Sequence, residues 1–555
     1  MNASILDRAA APSRWQRARA LLGVRPTMSS EALILVTCLY FSVFANAAFW
    51  QAATPQPWSQ WRWTLSLFLL VTAVHGVWLS LLVWRRTARV VLSALVVLAA
   101  LAGHYMASYG IYIDADMVRN VLHTDWREAS DLAGVDILVP LLAAVPALLL
   151  IWRVRLKERS WPRTFGVRLA FLAGMVAAGV VGILPSTQQL TAFLRNQREV
   201  RYLVTPANVL VSLAKVVSED PPGRKRVLQP IGEDAVQSPA ATMRRPRLLV
   251  LVVGETARAA SWGLNGYARQ TTPELAKRNA LNFPHVTACG SSTEVSLPCM
   301  FSPLGREHYD EAEIRSHQSL LHVLQRAGVQ TLWRDNQSGC KGVCDGLAVE
   351  DLHARIDADL CNGKRCYDEI LLSGLEDAAR RHHGDQVVVL HMLGNHGPTY
   401  SERYPTAFKA YQPVCETSDL GRCSRAQIVN AYDNALRYTD HVVASAIDRL
   451  AALDGYDTAL LYVSDHGESL GEKGLYLHGM PYSIAPREQL EVPMVAWFSD
   501  GWRRSTHLDE RCLQQQANGE RSHDDLFHTV LGLTDVKTKL YRPDHDIFLT
   551  CRSAG

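Results

Sequence analysis

The chain has 555 residues, 48% of them hydrophobic, and a mean hydropathy near zero. That length exceeds one ordinary domain, and the average conceals a lipid-embedded part beside a soluble one. The formal net charge of +3 is small for this length, and no basic stripe interleaved with aromatics occurs, which excludes nucleic-acid binding.

Five apolar runs, at 32–50, 64–84, 88–109, 134–152 and 167–185, lie in the first third of the chain. Each is close to the ~20 residues that cross hydrocarbon. No comparable run follows residue 245. A cleavable signal peptide competes for the first run, but no small-residue cleavage site follows Trp50, and the later runs would anchor the chain regardless. Five spans put the two ends on opposite sides, and Lys/Arg bias orients them. Arg8, Arg14, Arg17, Arg19 and Arg25 precede the first span, Arg85, Arg86 and Arg89 fill the second loop, and Arg153, Arg155, Lys157, Arg159, Arg163 and Arg168 the fourth. These belong inside. The first loop has only Arg62, and in the third Asp114, Asp116, Asp125, Glu128 and Asp131 outnumber Arg119 and Arg127. Those loops belong outside, with everything after residue 185.

The expected organisation is a membrane domain at 1–185, a bridging segment at 186–245 and a catalytic domain at 246–555. In the bridge, Thr205-Pro206 opens a helical stretch through Val217, and Pro221-Pro222-Gly223 follows. Val209, Leu210, Leu213, Val216 and Val217 recur at helical spacing, so this stretch lies on the membrane surface or packs on the soluble part.

Beyond Arg247, short apolar strands alternate with helical segments: Leu248–Val253, a helix near 319–327, Thr331–Trp333, a helix near 367–381, Val387–Leu390, a helix near 425–452, and Ala459–Val463. Alternation of this kind predicts an α/β/α sandwich around a mostly parallel sheet, with ligands beyond the carboxyl ends of the strands. Ten of the eleven cysteines also lie past residue 285, in close pairs Cys289/Cys299, Cys340/Cys344, Cys361/Cys366 and Cys415/Cys423, with Cys512 and Cys551 left over and Cys38 in the first span. Without C-x₂-C spacing a zinc ribbon is disfavoured, and local disulfides on the oxidising side of a membrane are expected.

Chemistry-bearing residues gather where strands end: Gly254-Glu255-Thr256, then His391 to Gly397, then Ser464-Asp465-His466-Gly467-Glu468. Singly, each has a structural reading: Glu255 and Asp465 as helix caps, His466 as a hydrogen-bonded turn residue. Together two carboxylates and an imidazole suit a zinc shell, because charged groups gather at a sheet edge only when paired or metal-bound. Between Cys289 and Cys299, Ser291, Ser292, Thr293 and Ser296 are candidate nucleophiles. A hydroxyl on zinc loses its proton near neutral pH, but chemistry alone does not choose among the four.

The motifs Gly254-Glu255-Thr256-Ala257-Arg258, Cys289-Gly290-x-x-Thr293-x-x-Ser296-x-Pro298-Cys299-Met300-Phe301-Ser302, Gly394-Asn395-His396-Gly397-Pro398 and Ser464-Asp465-His466-Gly467-Glu468 occur in order. The sequence thereby resembles the phosphoethanolamine transferases, including lipid A enzymes of the mobile colistin-resistance type. The resemblance implies a five-helix transmembrane domain followed by an alkaline-phosphatase-like periplasmic domain of α/β class. It further implies Thr293 as nucleophile and Glu255, Asp465, His466 and Thr293 as ligands of Zn2+. His396 and His478 would act in catalysis or on the substrate phosphate, and Lys341 and Gln337 would contact substrate. Donor and acceptor would be phosphatidylethanolamine and a lipid A phosphate, handled by a monomer in the bacterial inner membrane, with polymyxin resistance as the consequence. Ser291, Glu294 and Gln337 depart from the family's usual Thr, Ala and Asn. Competing readings are a transferase acting on another envelope glycan, a phosphoglycerol transferase, or a zinc- or lipid-binding sensor without turnover. The Cys-Met-Phe-Ser segment favours lipid A.

Overall fold

The computed structural model describes residues 25–124, 129, 132, 134–219, 227–353, 355, 357–362 and 365–552. The arginines at positions 8–19, Asp125, Arg127, Glu128 and Asp131 of the third loop, and Pro221-Pro222-Gly223 lie outside them. The chain divides into two compact units, residues up to 107 with 137–210, and residues 108–136 with 211–555.

In the first unit, α1 (Ser30–Tyr40) passes through a π-helical turn at Phe41–Ala45 into α2 (Ala47–Ala53), bent by 65°. Asn46 sits at the break, and its amide donates to the Phe41 and Thr205 carbonyls at 2.9 Å while its oxygen accepts from the Thr205 N–H at 2.7 Å. An interrupted helix in hydrocarbon needs such substitutes for its lost backbone bonds. The remaining long helices are α3 (Trp61–Leu82), α4 (Ala88–Tyr109), α6 (Leu138–Arg153) and α7 (Trp161–Ile183), with α5 (Ala115–His123) between α4 and α6. Among the described residues four unbroken helices are long and apolar enough to cross a membrane, or five if the bent pair is one broken span. Helices α3 and α7 pack along their length, and a side chain at Gly182 would fall 2.8 Å from the Ser66 carbonyl, so a small residue sets this approach. Two further helices, α8 (Thr187–Asn196) and α9 (Ala207–Glu219), occupy the expected bridge. Val216 of α9 is buried against Ala115 and Val118 of α5, whereas Leu213 and Val217 of the same stripe are exposed.

The second unit is built on eight strands: β1 (Arg247–Gly254), β2 (Leu281–Thr287), β3 (Gln330–Asp335), β4 (Val349–Asp351), β5 (Gln386–His391), β6 (Asp457–Ser464), β7 (Glu491–Phe498) and β8 (Arg521–Ser522). Their order across the sheet is β8-β2-β7-β6-β1-β5-β3-β4. Only β7 runs antiparallel to its neighbours. Every residue of β1, β5 and β6 is buried, as a sheet covered on both faces requires. The helices that matter below are α10 (Thr293–Met300), α11 (Glu311–Ser316), α12 (Leu320–Arg326), α13 (Arg425–Ala451) and α14 (Asp524–Leu533). Helix α13 opens with a capping box, Ser424 and Gln427 satisfying each other's backbone N–H groups.

Two sequence expectations need correction. The continuous helix near 367–381 is a 3₁₀ turn, Asp368–Leu372, and a short helix, Leu375–Arg380, separated at Ser373 and Gly374, where Gly374 has φ 70°. A left-handed residue ends one helical segment and starts another. Strands β2 and β7 were not anticipated, because Pro284 and Pro493 interrupt their apolar pattern. The four close cysteine pairs form disulfides as expected, and Cys512 bonds Cys551.

Candidate active site

Four adjacent parallel strands, β6, β1, β5 and β3, deliver the site at their carboxyl ends. Gly254 pairs with Ser464 in the β1–β6 ladder, so the next residues, Glu255 and Asp465, emerge side by side. Thr256 takes φ 61°, a strained conformation for a β-branched residue, directly after Glu255. Gly394, at φ 53°, packs on the same turn, and a side chain there would lie 2.6 Å from the Glu255 carbonyl oxygen.

Thr293 is the first residue of α10, beyond the Ser/Thr-rich turn that the Cys289–Cys299 disulfide closes. Its hydroxyl donates to Glu255 Oε2 at 2.9 Å and lies 3.3 Å from His466 Nε2. His466 Nε2 is 3.3 Å from Glu255 Oε1 and 3.5 Å from Asp465 Oδ2. All four side chains are buried. Of the candidate hydroxyls, Ser291 is committed to the Met480 carbonyl at 2.5 Å and Ser296 to the Gly290 N–H at 2.8 Å. Thr293 is the one that meets the acidic cluster.

This donor set fits a divalent cation. Asp465 Oδ1 accepts from the Thr256 and His466 backbone N–H groups, whereas Oδ2 is buried without a hydrogen-bond partner. Burial and the adjacent Glu255 charge push the Asp465 carboxyl up to about 7. Burial opposes the charged form of His466, but Asp465 and Glu255 outweigh it and carry the imidazole up to about 10. Burial likewise works against the Glu255 carboxylate, and the His466, His396 and His478 rings still hold it well below the usual range. So much paired acid and imidazole in a dry pocket is a place where a cation displaces protons.

His478 also belongs to the cluster: one ligand atom each from Glu255, His466 and His478 lie within 4.8 Å of one another. Glu255, His466 and His478 thus form one group able to hold a metal ion, and Asp465 Oδ2 stands beside it, 3.5 Å from His466 Nε2. Asp465 offers an oxygen without a hydrogen bond, and His478, whose Nδ1 is engaged by Glu468 Oε2 at 2.8 Å, offers its Nε2. Burial and the nearby His466 charge lower the His478 pKa, favouring the neutral ring. His396 lies alongside, its ring 5.4 Å from that of His478. Gln337 donates to Glu255 Oε2 at 3.2 Å. Lys341 bonds Ser338 Oγ at 2.8 Å and lines an open cleft of about 1120 Å³ with His123 and Glu294. The turn carrying both is locked by Asp335, which accepts from His391 Nδ1 at 2.6 Å and from the Gly339 N–H at 2.9 Å.

Sequence reasoning passed over three supporting residues. Glu468, which orients His478, is the last residue of the Ser-Asp-His-Gly-Glu motif, and Tyr400 donates to its other oxygen. Asp368 accepts from the Leu393 and Gly394 N–H groups at 2.8 Å each and so holds the turn that carries His396. Glu468 was legible in its motif, but nothing local marks Tyr400 or Asp368.

Fold and site define a class: a membrane-anchored enzyme with an alkaline-phosphatase-like α/β/α domain. Residues 247–536 match the family model described as Sulfatase, and residues 70–220 match that described as Phosphoethanolamine transferase EptA/EptB. The chain is 37% identical to the phosphoethanolamine transferase EptA of Escherichia coli K12 over 95% of its own length and 98% of that protein. It is 37% identical to the phosphatidylethanolamine transferase Mcr-1 of E. coli over 82% of this chain and 84% of that one. The solved structure of the integral membrane lipooligosaccharide phosphoethanolamine transferase A from Neisseria meningitidis superposes with a TM-score of 0.90 at 36% identity, covering 95% of this chain and 100% of that one. The chain belongs to the phosphoethanolamine transferase family.

Proposed function

We propose that this protein moves phosphoethanolamine from phosphatidylethanolamine to a lipid A phosphate at the periplasmic face of the bacterial inner membrane, through a phospho-threonine at Thr293. The observation that carries the reading is the buried contact of the Thr293 hydroxyl with Glu255 and His466, beside an Asp465 oxygen that accepts no hydrogen bond. The names of the relatives support both ends of the transfer, since one refers to phosphatidylethanolamine and another to lipooligosaccharide. In this reading residues 1–185 anchor, 186–245 bridge and 246–555 catalyse, with Lys/Arg-rich loops inside.

Glu255, Asp465, His466 and Thr293 would hold zinc, which when bound supplies charge stabilisation for a deprotonated hydroxyl and for phosphoryl oxygens. Thr293 gives up its hydroxyl proton to one of the two imidazoles lining the site, His396 or His478, and attacks phosphorus; the bond to the diacylglycerol oxygen breaks, and that oxygen takes the proton from the imidazolium so formed. A lipid A phosphate oxygen then attacks the same phosphorus and the bond to Thr293 breaks. Glu468 fixes the His478 ring so that Nε2 is the nitrogen left for the reaction. Lys341, on the cleft wall, offers its cation to the phosphate groups.

The test is expression of the wild type and of Thr293→Ala in a host lacking such enzymes, with mass spectrometry of lipid A. Phosphoethanolamine on lipid A with the wild type alone is expected. Unmodified lipid A with a folded, membrane-inserted wild type would overturn the acceptor assignment, and modification by Thr293→Ala would overturn the nucleophile.

A further inference from the structure

The residue after the nucleophile is a carboxylate that no step above uses. Glu294 is fully buried, and only one of its oxygens is engaged: Oε1 accepts from Arg315 Nη2 at 2.8 Å and from His123 Nδ1 at 3.0 Å, while Oε2 has no partner. The same guanidinium nitrogen of Arg315 donates to the Glu294 backbone carbonyl at 2.6 Å. Arg315 therefore grips both the side chain and the main chain of the residue bonded to Thr293.

Neither partner is local. His123 is the last residue of α5, the helix of the segment between two membrane spans. From α5 a second line reaches the same point. Arg119, with a side chain 1% exposed, bonds Glu219 of α9 at 2.9 Å and Asp116 at 3.2 Å, and it contacts Glu311 of α11. Glu311 in turn accepts from Arg315 Nε at 3.1 Å. Two routes, one direct and one through Glu311 and Arg315, run from the inter-span helix to a single carboxylate beside the nucleophile.

We propose that Glu294 is the positioning residue through which the inter-span helix α5 sets the orientation of Thr293, so that transfer is coupled to docking of that segment. Adjacent Cα atoms are held ~3.8 Å apart by the trans peptide, so a shift at Glu294 passes directly to Thr293. Thr293 is the opening residue of an eight-residue helix whose preceding Ser292 makes no side-chain cap bond, so the Arg315 grip adds to the disulfide and backbone bonds that hold this turn. A misplacement of about 1 Å at a reacting atom costs on the order of a hundredfold in rate. Burying a carboxylate needs such charge partners in any case, and here one of them, His123, comes from the helix between membrane spans, while Arg315 comes from α11.

The inference rests on Thr293 as the nucleophile, and the experiment separates the two. Full-length protein in proteoliposomes containing phosphatidylethanolamine is followed for single-turnover formation of phosphoethanolamine-threonine by intact-mass spectrometry, with metal content and unfolding midpoint recorded for each variant. Glu294→Ala should slow formation about tenfold at saturating donor, with half-saturating donor unchanged. His123→Ala should give a smaller loss, since this side chain is 47% exposed, and His123→Asn, whose amide replaces the Nδ1 donor, should recover the wild-type rate. The double variant Glu294→Ala/His123→Ala should be no slower than Glu294→Ala alone, because both remove one interaction. Where Glu294→Ala fails to fold, Glu294→Gln, which keeps the accepting oxygen, is expected to show the intermediate loss.

A wild-type rate for the Glu294 variants, strictly multiplicative losses in the double variant, or a raised half-saturating donor at unchanged maximal rate would each overturn the proposal. The last would make Glu294 a substrate contact. Thr293→Ala that still forms the adduct would refute the nucleophile assignment. An inactive Thr293→Ala beside normal Glu294 variants would refute this inference alone.

Discussion

Gly394→Ala tests how the sheet builds the site. Gly394 follows β5 with φ 53°, and the added Cβ would lie 2.6 Å from the Glu255 carbonyl oxygen and 2.9 Å from its Cβ and its nitrogen. Two costs follow. A left-handed alanine loses ~1–2 kcal/mol relative to glycine, and forcing a methyl group into packed backbone adds about 1–3 kcal/mol. The neighbours are backbone and Cβ atoms of the residue that directly follows β1, so they cannot rotate away, and the total is about 2–5 kcal/mol. Relief comes from moving Glu255, whose oxygens contact Thr293 and His466. The variant should therefore lose stability and zinc affinity together, read by thermal unfolding in detergent and by competition with a chromogenic chelator. A variant within about 0.5 kcal/mol of wild type that also retains full zinc affinity would refute the claim that this turn sets the position of Glu255.

Asp465→Asn removes one of two adjacent buried carboxylates, so in chelator it should unfold at a higher temperature than wild type; in excess zinc the order should reverse, and differential scanning fluorimetry in both conditions checks it. His441 lies between Glu274 at 2.9 Å and Glu369 at 3.5 Å, and these contacts raise its pKa from 6.5 to about 9, the bond to Glu369 contributing most. With the folded value above the unfolded one, this stability is full below pH 6.5 and disappears as the pH rises through about 9. The wild type should lose about 1 kcal/mol across that window, after allowance for solvent screening, and His441→Asn should not, as urea titrations at pH 6 and about pH 9.5 would show. Cys512→Ser/Cys551→Ser opens the disulfide with the widest sequence separation, 39 residues, and should cost up to ~4 kcal/mol with transfer activity retained well below the unfolding temperature. Guanidinium denaturation against the wild type measures that loss.

Much of this architecture was legible in short-range pattern. Apolar runs of spanning length and the all-apolar segment Leu248–Val253 each register within a window of some twenty residues or fewer, and they announced spans and a buried parallel strand. The four close cysteine pairs and the placing of Glu255, Asp465, His466 and His396 just beyond strand ends were equally local. Pro284 and Pro493 hid two strands, because a missing N–H reads as a break until a neighbouring strand shows that the ladder tolerates it.

Local pattern could not say which groups would touch. That Thr293 rather than Ser291 or Ser296 faces Glu255, that one Asp465 oxygen accepts no hydrogen bond, that Glu468 turns His478, and that His123 and Arg315 converge on Glu294 all depend on contacts between residues distant in the chain. Periodicity and capping are written in neighbouring residues, so composition and spacing determined the spans, the layered sheet and the inventory of reactive groups. Contacts across 171 residues, such as His123 with Glu294, were decided only when the sheet order and helix packing brought those segments together, because a side chain's partner depends on the whole chain's path and not on its neighbours.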